Sequence, residues 1–129
     1  MSSAEPQISR VGGISYLRIP AEEPGRSTAF YEEVFGWVVD RDREDPSFRD
    51  GTGHVIGHFS SEHEVAGEAG VRPYVFVASV HETLDRVTAR GGEVETEPYP
   101  EGDLWVATFR DPAGNVIGMW QQGPRAAGQ

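Results

Sequence analysis

The chain has 129 residues, 37% of them hydrophobic and 25% charged, with no cysteine and a formal net charge of −10. That length suits one domain burying roughly two-thirds of the surface its unfolded form would expose. The absence of cysteine excludes disulfides and thiolate zinc sites, and an acidic chain without a Lys/Arg cluster repels a phosphate backbone.

No apolar run approaches the ~18 residues of a membrane span, and no hydrophobic segment follows Met1. The expectation is a cytoplasmic protein with neither nucleic acid nor membrane as partner. The acidity is compatible with a neutral or cationic small molecule, and solubility alone also accounts for it.

Residues 1–10 and 122–129 are polar or small and read as tails. Ile14–Pro20 alternates as a strand, with Ile14, Tyr16 and Arg18 on one face and Leu17 and Ile19 on the other. Pro24 and Gly25 open a helix whose Ser27, Phe30, Tyr31, Val34 and Phe35 form a core-facing stripe. Gly36 is placed to end it. A strand then starts at Trp37–Asp40, and Asp50-Gly51-Thr52-Gly53 reads as the hairpin turn into Val55–Phe59.

A second series follows the acidic, glycine-containing connection Ser60–Pro73. Arg72–Val77 alternates, and Ser79-Val80-His81-Glu82 has the form of a capping box. Val80, Leu84 and Val87 give the helix its buried stripe, and Gly91-Gly92 stops it. Glu93–Glu97, Trp105–Arg110 and Val116–Gln121 are predicted strands, with 111–115 as the turn between the last two. Pro98–Asp103 is expected to be a polar loop.

The two series share a motif. Residues 48–59 and 109–120 are identical at seven of twelve positions, at a constant offset of 61 (109 − 48), and Phe59/Trp120 adds an aromatic pair. A repeat about half the chain long implies two copies of one supersecondary unit. The boundaries expected are one domain over 11–121, made of repeats 11–60 and 71–121.

Three segments carry a family resemblance: Ile19-Pro20-Ala21, Ala29-Phe30-Tyr31-Glu32-Glu33-Val34-Phe35-Gly36-Trp37, and Asp111-Pro112-Ala113-Gly114-Asn115-Val116-Ile117-Gly118-Met119-Trp120. With them the chain resembles the vicinal-oxygen-chelate superfamily, the group of glyoxalases, bleomycin-resistance proteins and extradiol dioxygenases. The resemblance implies an α+β fold: two tandem βαβββ units forming a cup-shaped curved sheet with the helices outside. It also implies a homodimer, sometimes with units exchanged between chains.

Metal-dependent relatives carry His, Gln or Glu on the first and last strand of each unit. By motif those positions are Tyr16, Gly57, Arg72 and Gly118 here. Glycine has no side chain to ligate with, and an arginine cation repels a divalent ion. The expectation is therefore no metal and no cofactor.

If those four positions face a cavity, alternation turns Arg18, Val55, Phe59, Tyr74, Phe76, Val116 and Trp120 the same way. The ligand-binding residues expected are Tyr16, Arg18, Arg72, Tyr74, Phe76, Trp105 and Trp120. Phenol, guanidinium and indole groups suit a planar organic ligand. The alternative is that the aromatics fill a core and the arginines pair with carboxylates at the rim. The segment Tyr99–Trp105 could close over the mouth, or be an ordinary solvated turn.

His54 and His58 would chelate from a helix, but four residues along a strand they stand roughly 13 Å apart. They read as structural, pointing to the helix layer or a sheet edge, while His63 and His81 are expected on the surface. Asp50 and Asp111 are explained by turn capping. No Gly-x-Ser-x-Gly elbow, phosphate-binding loop or dinucleotide fingerprint occurs. Three functions follow: a metal-free small-molecule binding protein, an enzyme of glyoxalase or dioxygenase type with a non-standard site, and a dimeric interaction module.

Overall fold

Each half of the repeat folds into one helix and a four-stranded sheet in the computed structural model, which describes residues 8–65 and 70–123. The polar tails lie largely outside the described residues, as does the middle of the connection between the halves, residues 66–69. The chain divides into two units, Met1–Glu64 and Val65–Gln129. No helix among the described residues is long and apolar enough to cross a membrane.

The first unit runs β1 (Tyr16–Pro20), α1 (Pro24–Phe35), β2 (Val38–Asp40), β3 (Ser47–Arg49) and β4 (Ile56–Ser60). Its sheet has the order β1-β4-β3-β2, with β1 and β4 parallel and the other neighbours antiparallel. Pro24 supplies a preset φ at the first helical position, where no N–H partner is needed. Gly36 ends the helix at φ 72°, and its N–H returns to the carbonyl of Glu32. The expected stripe is buried at Ser27, Phe30, Tyr31 and Val34, and Thr28 joins it. Against it sits an aromatic core: Tyr31 stacks on Trp37 at 4.6 Å, Trp37 on Phe48 at 4.7 Å, and Phe48 meets Phe59 at 5.1 Å.

The second unit runs β5 (Tyr74–Phe76), α2 (Val80–Ala89), β6 (Glu93–Glu101), β7 (Leu104–Arg110) and β8 (Val116–Gln122), in the order β5-β8-β7-β6. Ser79 caps α2, its hydroxyl accepting the N–H of Glu82. The Val80 N–H is taken instead by the side-chain oxygen of Gln121 on β8, at 2.8 Å, which ties the helix start to the sheet. Val80, Thr83, Leu84 and Val87 form the buried face of α2.

The structure corrects the reading of residues 98–103. They are strand: Tyr99 pairs with Val106, Pro100 with Trp105 and Glu101 with Leu104, leaving only a tight turn at Gly102-Asp103. Proline is tolerated because β6 is the edge strand, where a missing N–H breaks no ladder. Two register shifts, between Val94 and Tyr99, absorb its irregularity. Strand β1 begins at Tyr16 rather than Ile14, and β5 covers only the centre of the predicted 72–77 segment.

A one-residue difference separates the two β-hairpins that carry the repeated motif. Arg49 pairs with Ile56, whereas Arg110 pairs with Val116, so the first loop holds one residue more. In the second loop Asn115 closes the turn, its carbonyl accepting the Asp111 N–H at 2.9 Å and its side-chain amide donating to Asp111 Oδ2 at 2.9 Å. His54 holds the matching place in the first loop. Its N–H goes to Thr52 Oγ1, and closure falls to Val55, whose carbonyl accepts the Asp50 N–H. A slip of one residue reverses every side chain that follows.

Candidate functional site

In the first unit the slip decides which residues lie on the sheet face away from α1. Register partners share a face, and Leu17, Ile19, Phe48, Gly57 and Phe59 are on the helix side, with Phe59 fully buried in the aromatic core. The expectation that Gly57 and Phe59 face with Tyr16 is therefore overturned. Tyr16, Arg18, Ser47, Arg49, Ile56 and His58 occupy the other face. His58, expected towards the helix, instead meets Tyr16: the phenol oxygen and Nδ1 are 2.6 Å apart, the rings edge-on at 5.8 Å.

Beside this pair lies a second polar contact. Arg18 Nη1 approaches His63 Nε2 at 3.4 Å, and His63 Nδ1 is 3.0 Å from Ser60 Oγ. A guanidinium only donates, so Nε2 is the accepting nitrogen and Nδ1 carries the proton that Ser60 Oγ receives. His63 is exposed. His54 sits in the turn before β4.

In the second unit the face away from α2 is aromatic. Tyr74 pairs with Gly118 and Phe76 with Trp120 along the parallel β5–β8 ladder. The Tyr74 ring occupies the space a Cβ on Gly118 would need. Phe76 and Trp120 meet edge-to-face with centroids 4.8 Å apart. Tyr74 is 46% and Phe76 60% exposed, large values for such rings.

Thr108 pairs with Gly118 and shares that face, yet it is only 3% exposed. Its hydroxyl has no hydrogen-bond partner among the described residues. A buried hydroxyl without a partner is costly, by about 1–3 kcal/mol. No sequence signal marks Thr108: a threonine in a β-rich stretch is ordinary, and only the ladder places it beside Gly118.

Tyr99 reaches the same face through its partner Val106. Burial raises its pKa above the ordinary phenol value, and nearby Glu101 and Tyr74 push in the same direction; Arg72 pulls the other way. Arg72 thus stands near the aromatic face, just before β5. Trp105 does not join it. It pairs with Gln121 on the helix side and lies against His81, ring centroids 6.0 Å apart. His81, expected on the surface, is half-buried, and its Nδ1 is buried without a partner among the described residues.

The superfamily profile described as Glyoxalase/Bleomycin resistance protein/Dioxygenase superfamily matches residues 13–119. The chain belongs to this superfamily. Solved structures agree on the fold. A glyoxalase/bleomycin resistance protein/dioxygenase family enzyme from Burkholderia phytofirmans PsJN is 20% identical with a TM-score of 0.70, over 84% of this chain and 98% of that one. A genomically encoded fosfomycin resistance protein from Listeria monocytogenes is 16% identical with a TM-score of 0.67, over 91% and 96%. A lactoylglutathione lyase from Agrobacterium tumefaciens is 21% identical with a TM-score of 0.62, over 85% and 93%. No curated protein matches the chain.

The donor set of this glyoxalase-superfamily chain does not fit a divalent metal. Of the positions implied by the resemblance, Gly118 lies under Tyr74 and Gly57 faces the helix, while Arg72 is a cation. The corrected register puts one imidazole, His58, beside Tyr16, and no carboxylate accompanies them in the contacts described. Among the described residues no three His, Asp or Glu gather as a ligand group. One imidazole with a phenol falls short of the three protein ligands that even open catalytic zinc sites use.

Proposed function

We propose that this superfamily member binds a planar organic molecule, neutral or cationic, on the aromatic face of its second unit, without a metal. The observation that carries the reading is the aromatic set on one sheet face, with Tyr74 and Phe76 exposed and Trp120 half-buried beside them. Aromatic rings supply stacking area at little entropic cost. Gly118 lets the Tyr74 ring lie flat against the sheet, because that ring fills the space a side chain there would need. Homodimerisation and a cytoplasmic location belong to the same proposal; light scattering in solution measures the first.

The test is a thermal-shift screen of planar aromatic compounds, neutral and cationic, followed by titration of Trp120 fluorescence against a Trp120→Phe control. Binding to the native chain alone raises the melting temperature with ligand concentration. A hit that quenches the wild type and not Trp120→Phe is expected. A screen in which no compound shifts the melting temperature sinks the reading.

An enzymatic reading rests on a different observation. A phenol 2.6 Å from an imidazole nitrogen is a pair able to exchange a proton with a bound substrate. It predicts turnover that is lost in both Tyr16→Phe and His58→Gln.

A further inference from the structure

The first unit carries a concentration of donors that the aromatic reading does not use. Arg18 and His58 are register partners on neighbouring strands, and Ser47 continues the same row across β3. Arg41 and Arg110 are paired with carboxylates, Glu32 and Glu95 respectively. Arg18 is not: among the described residues its only polar side-chain contact is His63. The Arg18 guanidinium is exposed and, among the described residues, meets an imidazole rather than a carboxylate.

His63 also fixes the guanidinium's direction, because its Nε2 accepts from Arg18 while its Nδ1 donates to Ser60. The Tyr16 contact does the same for His58. With the phenol donating to Nδ1, the neutral ring carries its proton on Nε2 and offers a donor. The carboxylate at the far end of the row is that of Asp40, which pairs with Ser47 and whose Oδ1 accepts the N–H of Asp42.

We propose that Arg18 and His58, oriented by His63 and Tyr16, form a recognition site for a small oxyanion, a carboxylate or a phosphate group. Guanidinium forks suit both, and a charge-assisted hydrogen bond is roughly twice as strong as a neutral one. The site occupies the strands on which metal-dependent relatives would carry ligands, with the opposite preference for charge. The proposal does not depend on the aromatic face of the second unit.

The experiment titrates the full chain at pH 7 with sodium phosphate and, separately, with sodium acetate. Sodium chloride at matched ionic strength is the background, and the imidazole nitrogen signals of His58 and His63 are followed by NMR. Saturable shifts of both rings are expected with at least one of the two anions, with a Kd on the order of 1 mM, as suits two or three exposed hydrogen bonds. The anion that saturates identifies the group recognised. Arg18→Gln should weaken binding at least tenfold, and Arg18→Lys should weaken it less while keeping the charge. If Arg18→Gln melts well below the wild type, Arg18→Lys decides: affinity equal to wild type then counts against a guanidinium site. Shifts no larger than those from chloride, or full binding by folded Arg18→Gln, overturn the proposal. Trp120→Ala should leave phosphate and acetate binding unchanged, so failure of the aromatic reading would be visible separately.

Discussion

Gly118 lies beneath the ring of Tyr74 on the open face of its sheet, whereas Gly57, its counterpart in the repeat, lies beneath Phe48 on the helix side. Both glycines are required by close approach, but the neighbours differ in their freedom to move. A Cβ on Gly57 would overlap the Leu17 carbonyl and the Phe48 ring, a backbone atom and a core aromatic. The nearest atoms a Cβ on Gly118 would meet are those of the Tyr74 ring, which is half-exposed and has solvent to turn into.

Gly57→Ala is therefore expected to destabilise by about 3 kcal/mol or more, at the upper end of overpacking costs. Gly118→Ala should cost about 1 kcal/mol or less, by the same reasoning applied to a movable ring. Chemical denaturation of the two variants side by side checks the order. Equal losses would mean that Tyr74 is as firmly held as Phe48.

The turn aspartates separate in the same way. Asp111 is buried and accepts the N–H groups of Ala113 and Asn115 and the side-chain amide of Asn115. Asp50 makes comparable bonds to Thr52 and Gly53 from a more open position. Asp111→Ala leaves buried donors unmet and should cost about 2–3 kcal/mol; Asp50→Ala should cost about 1 kcal/mol, because water replaces the lost acceptor. The melting temperatures of the two variants measure the difference.

Ser79→Ala removes the acceptor for the Glu82 N–H at the start of α2. A loss of about 1 kcal/mol is expected, and Ser79→Asp should restore most of it. The bond from the Val80 N–H to Gln121 is untouched, so the helix should fray without detaching. Amide hydrogen exchange in the first turn of α2 reads this directly.

Tyr99 links stability to alkaline pH. Its folded pKa lies above the ordinary phenol value because burial, Glu101 and Tyr74 disfavour the phenolate. A raised folded value means its contribution is fully present below the unfolded pKa of about 10. It is lost as pH climbs from there through the folded value. Tyr99→Phe should flatten stability against pH in that window, while Arg72→Gln should move the titration higher by removing the one favourable charge. Absorbance of the ionised phenol near 295 nm follows both.

Much of the fold was legible locally. Pro24 and Gly36 bracket α1, the Ser79–Glu82 spacing marks the start of α2, and the burial stripes of both helices match their periodicity. These signals work because helix caps and amphipathic faces are decided within a few residues. The second half of β6, residues 98–101, escaped because Pro98 and Pro100 read as loop residues, and edge position is a property of the sheet rather than of the segment.

Of the candidate residues, Tyr16 and Arg18 share one face of the first sheet, and Tyr74, Phe76 and Trp120 share one face of the second. Trp105 was misdirected by the supposed loop, and His58 and Phe59 by the motif's equal spacing. Thr108 and the His63 contact carried no signal at all.

By itself the sequence determined the repeat, the element order, the helix boundaries and the superfamily, all of which rest on spacing along the chain. The tertiary structure alone decided which face each strand residue occupies in the first unit. The reason is that strands alternate with a period of two, so one residue of difference in a hairpin loop inverts everything after it. The shared motif thereby puts a glycine under a half-exposed tyrosine in one unit and under a core phenylalanine in the other.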